Sequence, residues 1–135
     1  LASYMHGFSN ILCDLSEYGI IPIIAHPERY TFIEKDKKRI KELLEFNTIL
    51  QINVDSLVGK YGKKAKKVAK WLLKKDLVSV VATDTHRVGD KKELEKAYKK
   101  LKKIVGNKRY QDLVYNNPRR ILENKRIKRN LMYFR

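Results

Sequence analysis

Residues with ligand or catalytic chemistry stand directly after the short apolar runs of this sequence. His26 and Arg29 follow the first run, Asp55 follows the second, and Asp84 and His86 follow the third. In α/β folds, ligands bind at the carboxyl ends of strands, so polar residues just past a strand are the first candidates for a functional site. Metal-ligand and phosphate-binding residue types dominate this set, which points to metal or phosphate chemistry.

Asp84 and His86 are two residues apart on a segment predicted to be extended. Side chains at i and i+2 of a strand point to the same face, so both can reach one ion or two adjacent ions. The spacing alone is a weak signal, because an Asp near a turn often bonds a backbone N–H and a His often pairs with it. His26 alone is more typical of a hydrogen-bonded core residue than of a metal ligand. The three together, at strand ends of one presumed sheet, favour a shared metal site.

Arg29 lies three residues after His26 and carries a guanidinium fork suited to bidentate binding of phosphate oxygens. Its alternative role is a surface ion pair with Glu28 or Glu34, and the residues leave both interpretations open. The sequence contains no glycine-rich phosphate loop, no G-x-S-x-G elbow and no Cys-x5-Arg phosphatase loop. A phosphate-binding role of Arg29 therefore cannot be assigned from any of these motifs.

Helical and strand patterns alternate along the chain. Apolar residues recur every three or four positions in four segments, which predicts helices over 4–18, 36–46, 63–75 and 90–106, with two shorter helices after them. Unbroken apolar runs predict buried strands over 20–25, 48–54 and 77–83. Pro22 gives no ladder hydrogen bond, so the first strand should begin near Ile23. The fold class is α/β with parallel strands and right-handed crossovers, either a doubly wound sheet or part of an α/β barrel.

Helix caps and core aromatics support these boundaries. Asp36 and Asp90 are predicted N-caps, and Asn117 is a predicted cap with Pro118 at the first helical position. The aromatic residues at helical spacing among aliphatic neighbours are expected in the core; these are Trp71, Tyr98 and Tyr110.

Length and composition favour one domain over residues 1–135, since 135 residues with 43% hydrophobic content can build an ordinary core. The first residue is Leu1, which indicates a chain cut from something longer. The sequence shows neither a signal peptide nor an apolar run of about 18 residues, so a cytoplasmic protein without membrane insertion is expected. Cys13 lies among apolar residues, so no internal disulfide forms and a buried small side chain is expected.

The net charge of +16 attracts nucleic acids, acidic membrane surfaces and phosphorylated ligands without choosing among them. Most of the excess lies in Lys pairs spaced to occupy the outer faces of helices, which is typical of a solvated surface. A basic nucleic-acid-binding module would explain the charge without a metal. The lysines spread over several helices without a binding motif, so no specific nucleic acid is expected.

Three segments together resemble a known family. They are IPIIAHPERY at 21–30, QINVDSLVGKYGKKAKKVAKWLLKKDLVSVVATDTH at 51–86 and NNPRRIL at 116–122. They are similar to the manganese-dependent protein-tyrosine phosphatases of the PHP (polymerase and histidinol phosphatase) family, which occur with bacterial capsule and exopolysaccharide systems. The resemblance runs in order along nearly the whole chain, and AHPERY combined with TDTH about 55 residues later is more specific than either piece.

The resemblance implies a distorted (β/α)7 PHP barrel, of which this chain would be the C-terminal portion, with a cluster of divalent metals at its strand ends. His26, Asp84 and His86 match family metal ligands, and Arg29 matches the catalytic arginine that binds the substrate phosphate. Manganese comes from the family, whereas His and carboxylate ligands also suit Fe or Zn. The implied activity is hydrolysis of phosphotyrosine in proteins, with a bacterial tyrosine kinase of polysaccharide assembly as a possible partner. The oligomeric state stays open.

The sequence departs from the family pattern in its missing N-terminal ligands. The family carries a His-x-His, a further His and a bridging Glu upstream of the matched segments, and none is present here. We therefore expect the 135 residues alone to be inactive and the activity to belong to a longer parent. A histidinol-phosphatase-like esterase for small phosphomonoesters and a non-catalytic basic remnant are the alternatives.

Overall fold

Three short strands form a parallel sheet in the computed structural model, which describes the backbone of residues 2–129 and the side chains of residues 7–129. The strands are β1 (Ile23–Ala25), β2 (Ile49–Asn53) and β3 (Val80–Ala82), in the order β1-β2-β3. β2 pairs in parallel with both neighbours. All three strands therefore end at the same edge of the sheet.

Helices of different lengths connect and cover the strands. The α-helices are α1 (Ala2–Glu17), α2 (Thr31–Lys35), α3 (Ile40–Leu44), α4 (Gly62–Lys74), α5 (Lys91–Val105), α6 (Asn107–Gln111) and α7 (Asn117–Leu122). Short 3-10 helices cover Pro27–Arg29, Lys37–Arg39 and Val54–Val58, and a π-helical turn covers Asp112–Asn116.

The core lies around the central strand. Leu50 and Ile52 of β2 are fully buried, and they share one apolar cluster with Val68 and Leu72 of α4 and Leu101 of α5. The spacing of three and four between apolar residues places these helix residues on one face, as the sequence pattern predicts. The predicted core aromatics pack against the same cluster; these are Trp71, Tyr98 and Tyr110.

The predicted order of helices and strands is confirmed, with ends that shift by a few residues. β1 begins at Ile23, as Pro22 requires. Asp36 accepts a hydrogen bond from the backbone N–H of Lys38 at 3.0 Å, and Asp90 accepts one from Lys92 at 2.9 Å. Both predicted N-caps are therefore confirmed.

Several local predictions are wrong. β1 is not buried on both faces, because Ile23 is 41% exposed whereas Ile24 on the opposite face is buried. Cys13 is exposed, because α1 turns Leu12 and not its neighbour into the core. The predicted helix over 36–46 divides into the Lys37–Arg39 turn and the short α3.

The predicted cap of the last helix is also wrong. Asn117 lies inside α7, and its Nδ2 donates to the backbone oxygen of Ser79 at 2.8 Å. The side chain is therefore used for a tertiary contact and makes no cap hydrogen bond. Within the described residues, every helix is too short or too polar to cross a membrane.

Candidate functional site

Two of the three strand ends turn through a left-handed backbone conformation. His26 follows β1 with φ 42° and ψ 50°, and Asp84 follows the end of β3 with φ 50°. The backbone N–H of His26 still donates to the oxygen of Gln51 at 2.7 Å, which extends the ladder between β1 and β2 by one bond. Left-handed conformations of residues other than glycine are strained and occur preferentially at functional sites.

A cleft of about 370 Å³ opens beside the ends of β2 and β3. The segment 83–90 forms one wall, which includes Asp84 and His86, and Asp55, Lys60 and Tyr61 line the opposite side. Lys60 Nζ lies 2.9 Å from Oδ2 of the buried Asp55, and this hydrogen bond raises the pKa of Lys60. The cleft therefore combines carboxylate, imidazole and ammonium groups at the predicted edge of the sheet.

The two cleft residues Asp84 and His86 are linked through the backbone. His86 Nδ1 lies 2.8 Å from the carbonyl oxygen of Asp84. A carbonyl oxygen only accepts, so the contact requires the proton on Nδ1 and leaves Nε2 as the free lone pair in the neutral ring. Both side chains are exposed to the cleft, where Nε2 and the carboxylate are available to a ligand.

Arg29 contacts Tyr61, one of the residues that line this cleft. The guanidinium carbon is 4.2 Å from the centre of the Tyr61 ring, the geometry of a cation–π contact. Within the described part of the chain, Arg29 forms none of the ion pairs, so the sequence-based alternative of a pair with Glu28 or Glu34 does not occur. Its charge remains available to an anion.

Glu28 is the residue of this region that the sequence did not identify. Its side chain is fully buried, and Oε1 accepts hydrogen bonds from the backbone N–H of Asn53 at 2.9 Å and from Ser56 Oγ at 2.7 Å. Burial raises the pKa of Glu28, and the two hydrogen bonds act in the opposite direction. A glutamate between Pro and Arg reads as a surface residue, because unpaired acidic side chains are rarely buried.

The predicted metal ligands are only partly brought together. Asp84 and His86 share the cleft, whereas His26 is half-buried beside Tyr30, with the two ring centres 6.1 Å apart. Across the residues that the structure describes, no group of three or more His, Cys, Asp or Glu side chains is arranged to hold a metal ion. The donor types suit a divalent transition metal, but their number in one place is too small for a complete site.

Three residues at the ends of β1 and β2 carry buried polar atoms without partners. His26 Nδ1, Glu28 Oε2 and both amide atoms of Asn53 are buried, and no hydrogen-bonding atom of the described structure reaches them. Buried polar groups are almost always hydrogen-bonded, so such a group of orphans requires an explanation. The orphans lie next to the strand ends that the sequence singles out.

Comparisons with known proteins agree on one family. The family model described as capsular polysaccharide synthesis, CpsB/CapC, matches residues 3–123. The tyrosine-protein phosphatase CpsB of Streptococcus pneumoniae is 41% identical over 87 residues, which cover 61% of this chain and 34% of that protein. The tyrosine-protein phosphatase YwqE of Bacillus subtilis is 39% identical over 75 residues, covering 56% of this chain and 30% of that protein.

A solved structure shows the same relationship in three dimensions. The matched chain comes from the crystal structures of YwqE from Bacillus subtilis and CpsB from Streptococcus pneumoniae, described as unique metal-dependent tyrosine phosphatases. The TM-score is 0.78 at 32% identity, over 90% of this chain and 49% of the solved chain. This chain therefore spans about a third of the curated relatives in sequence and about half of the solved chain in structure.

Proposed function

Because this chain belongs to the CpsB/CapC family, we propose that it forms part of a metal-dependent phosphatase for phosphotyrosine in proteins. The family is described by capsular polysaccharide synthesis, and the matched relatives are tyrosine-protein phosphatases. The observation that supports this proposal is a cleft at the carboxyl edge of a parallel sheet, lined by Asp84, His86 and Tyr61, with Arg29 in contact with Tyr61. The fold matches a metal-dependent tyrosine phosphatase. In this proposal, residues 1–135 are one domain that forms the C-terminal portion of a (β/α)7 barrel.

Arg29 is proposed as the group that binds the phosphate of the substrate. Its guanidinium has no competing carboxylate among the described ion pairs, and the Tyr61 ring holds it beside the cleft. A planar fork of N–H donors suits two phosphoryl oxygens at once, and it remains charged at all physiological pH values. Arg29 would thereby orient the phosphorus and stabilise negative charge that develops on its oxygens.

His26, Asp84 and His86 are proposed as metal ligands. The exposed Asp84 carboxylate and the free Nε2 of His86 already face the cleft, and the further ligands would come from the part of the relatives that this chain does not match. When bound, the metal would neutralise phosphate charge and acidify a water molecule. Manganese is the proposed metal, with Fe and Zn as alternatives for the same donors.

The biological setting of the proposal is capsule or exopolysaccharide regulation. A tyrosine kinase of polysaccharide assembly is the proposed source of the phosphotyrosine, and the matched family is described by capsular polysaccharide synthesis. A cytoplasmic location belongs to the same proposal, because protein phosphotyrosine is made with cytoplasmic ATP.

Turnover by the native full-length protein tests the proposal. We expect Mn²⁺-dependent hydrolysis of a phosphotyrosyl peptide that EDTA abolishes, and at least about a 100-fold loss of kcat/KM in Arg29→Ala and in Asp84→Ala. Arg119→Ala is the matched control, since Arg119 is an exposed arginine on α7 paired with Glu123. Preferred turnover of histidinol phosphate would support the small-phosphoester alternative. Absence of any metal-dependent turnover would leave the non-catalytic remnant.

A further inference from the structure

The buried carboxylate of Glu28 lies in sequence between His26 and Arg29, the two residues after β1 to which the proposed function gives a role. Glu28 stands between His26 and Arg29 in the Pro27–Arg29 turn, and unlike Arg29 it points into the interior with 0% exposure. Carboxylates are rarely buried without a cationic partner, because transfer from water is costly. Among the described ion pairs, Glu28 has none, so its burial requires another reason.

The carboxylate ties the segment after β1 to the segment after β2. One oxygen, Oε1, receives both the backbone N–H of Asn53 at 2.9 Å and the hydroxyl of Ser56 at 2.7 Å. These partners are 25 and 28 residues away in the chain, so the link is entirely tertiary. Both distances lie in the usual range of well-formed hydrogen bonds, so the two segments are held at a defined separation.

This link fixes the backbone from which the neighbouring functional groups project. His26, two residues before Glu28, holds a left-handed conformation, which residues other than glycine adopt uncommonly. Arg29, the next residue, contacts Tyr61, which follows the Val54–Val58 turn that contains Ser56. The hydrogen bond between Glu28 and Ser56 therefore joins the turn that carries Arg29 to the turn that precedes Tyr61. The separation of these two turns sets the distance between Arg29 and Tyr61.

The unpaired atoms argue against a purely stabilising role. Glu28 Oε2 and the Asn53 amide are buried without partners, which is unfavourable for folding. The two bonds to Oε1 offset part of the cost of burying the carboxylate, but they leave the desolvation of Oε2 uncompensated. A carboxylate that gives up stability for a fixed geometry is typical of residues that support a site.

We propose that Glu28 is a positioning residue, which fixes His26 and Arg29 relative to the end of β2 through Oε1, Asn53 and Ser56. The proposal rests on the proposed phosphatase function for its kinetic consequence, but its geometric part concerns only this chain. Glu28→Gln retains an Oε1 acceptor for both donors, whereas Glu28→Met has similar length and no acceptor. The two variants separate the hydrogen-bond link from the volume of the side chain.

The kinetic experiment compares both variants in the native full-length protein, at a temperature at which circular dichroism shows each to be folded. We expect Glu28→Met to lose about 100-fold in kcat/KM for a phosphotyrosyl peptide, because misplacement of a catalytic group by about 1 Å has that effect. Glu28→Gln should stay within about tenfold of the wild type, since one carbonyl oxygen can accept both bonds. Equal losses in both variants, or none in Glu28→Met, would overturn the proposal.

Nuclear magnetic resonance of the same proteins separates positioning from stability and from catalysis. We expect the ring nitrogens of His26 and the Nε–H of Arg29 to shift in Glu28→Met and to return towards wild-type values in Glu28→Gln. Ser56→Ala removes one bond to Oε1 and should shift both signals less, while Ser79→Ala, another buried serine, should leave them unchanged.

The outcomes are distinguishable. If Glu28→Met does not fold, Ser56→Ala alone carries the test, and unchanged His26 and Arg29 signals in that variant would overturn the proposal. If the wild-type protein has no phosphatase activity, the proposed function fails, and the shifts of His26 and Arg29 still decide the geometric part. A lower melting temperature with unchanged signals and unchanged kcat/KM would show that Glu28 serves the fold alone.

Discussion

Replacement of Tyr61 by leucine should weaken phosphate binding by removing the ring that holds Arg29. The guanidinium carbon lies 4.2 Å from the ring centre, and Tyr61 lines the cleft, so this is a partly exposed cation–π contact. Such contacts contribute about 0.5–1 kcal/mol. Since about 1.4 kcal/mol corresponds to a tenfold change in an equilibrium constant, the expected weakening is about 2–5-fold. Tyr61→Phe retains the ring and should stay within about twofold of the wild type.

Steady-state kinetics with a phosphotyrosyl peptide measure this effect. Because Arg29 contacts the phosphate in the bound substrate and in the transition state, we expect kcat/KM to fall about 2–5-fold in Tyr61→Leu. The inhibition constant of inorganic phosphate should rise by the same factor, because the contact acts on the anion and not on the peptide.

A double-mutant cycle with Arg29→Ala decides whether Tyr61 acts through Arg29. Once the arginine is absent, Tyr61→Leu should have no further effect on phosphate inhibition. The reasoning would be refuted by an equal loss of affinity in both backgrounds, which would mean that Tyr61 contacts the ligand itself. A loss in Tyr61→Phe as large as in Tyr61→Leu would refute it as well, since it would assign the effect to the hydroxyl.

Two further predictions concern stability. Asn117→Ala should lower the free energy of unfolding by about 1–3 kcal/mol in urea denaturation, because it leaves the buried carbonyl oxygen of Ser79 without its 2.8 Å partner. Lys100 should make stability rise between about pH 8 and 10, since contact with neighbouring ammonium groups lowers its pKa from 10.5 to about 8 in the folded state; these groups are on Lys66, Lys70 and Lys96. In that window the unfolded chain binds more protons, so deprotonation favours the folded state. Lys100→Gln should reduce this rise with pH and should increase the free energy of unfolding at pH 7 by a few tenths of a kcal/mol. The control Lys99→Gln should show neither effect. Thermal melts of both variants across this pH range test the prediction.

Local sequence pattern was sufficient for the architecture because the longer helices have a strong apolar period. Val68 and Leu72 fall on one face of α4, and the buried face of this helix can be read directly from their spacing of four. The strand runs were equally clear, and their parallel arrangement follows from the helices between them. The strand ends could therefore be identified as the candidate site before any contact was known.

Tertiary contacts account for what the sequence did not reveal. The burial of Glu28 depends on donors at Asn53 and Ser56, which no local period connects to it. The burial of Cys13 was predicted from its apolar neighbours, but only a helix-wide view of which face packs could have shown it to be exposed. The use of Asn117 as a tertiary donor was missed for the same reason, since Asn before Pro is also a common cap.

The left-handed residues provide the strongest structural support for the location of the site. Among residues 2–129, five residues other than glycine have positive φ. Asn47, Asp76 and Asn124 follow the ends of α3, α4 and α7, where Asn and Asp commonly adopt this conformation to terminate a helix. His26 and Asp84 follow strands, so helix termination does not explain them. Both are residues that the sequence predicts to bind metal, and backbone strain of this kind clusters at functional sites, which favours these two strand ends as the location of the candidate site.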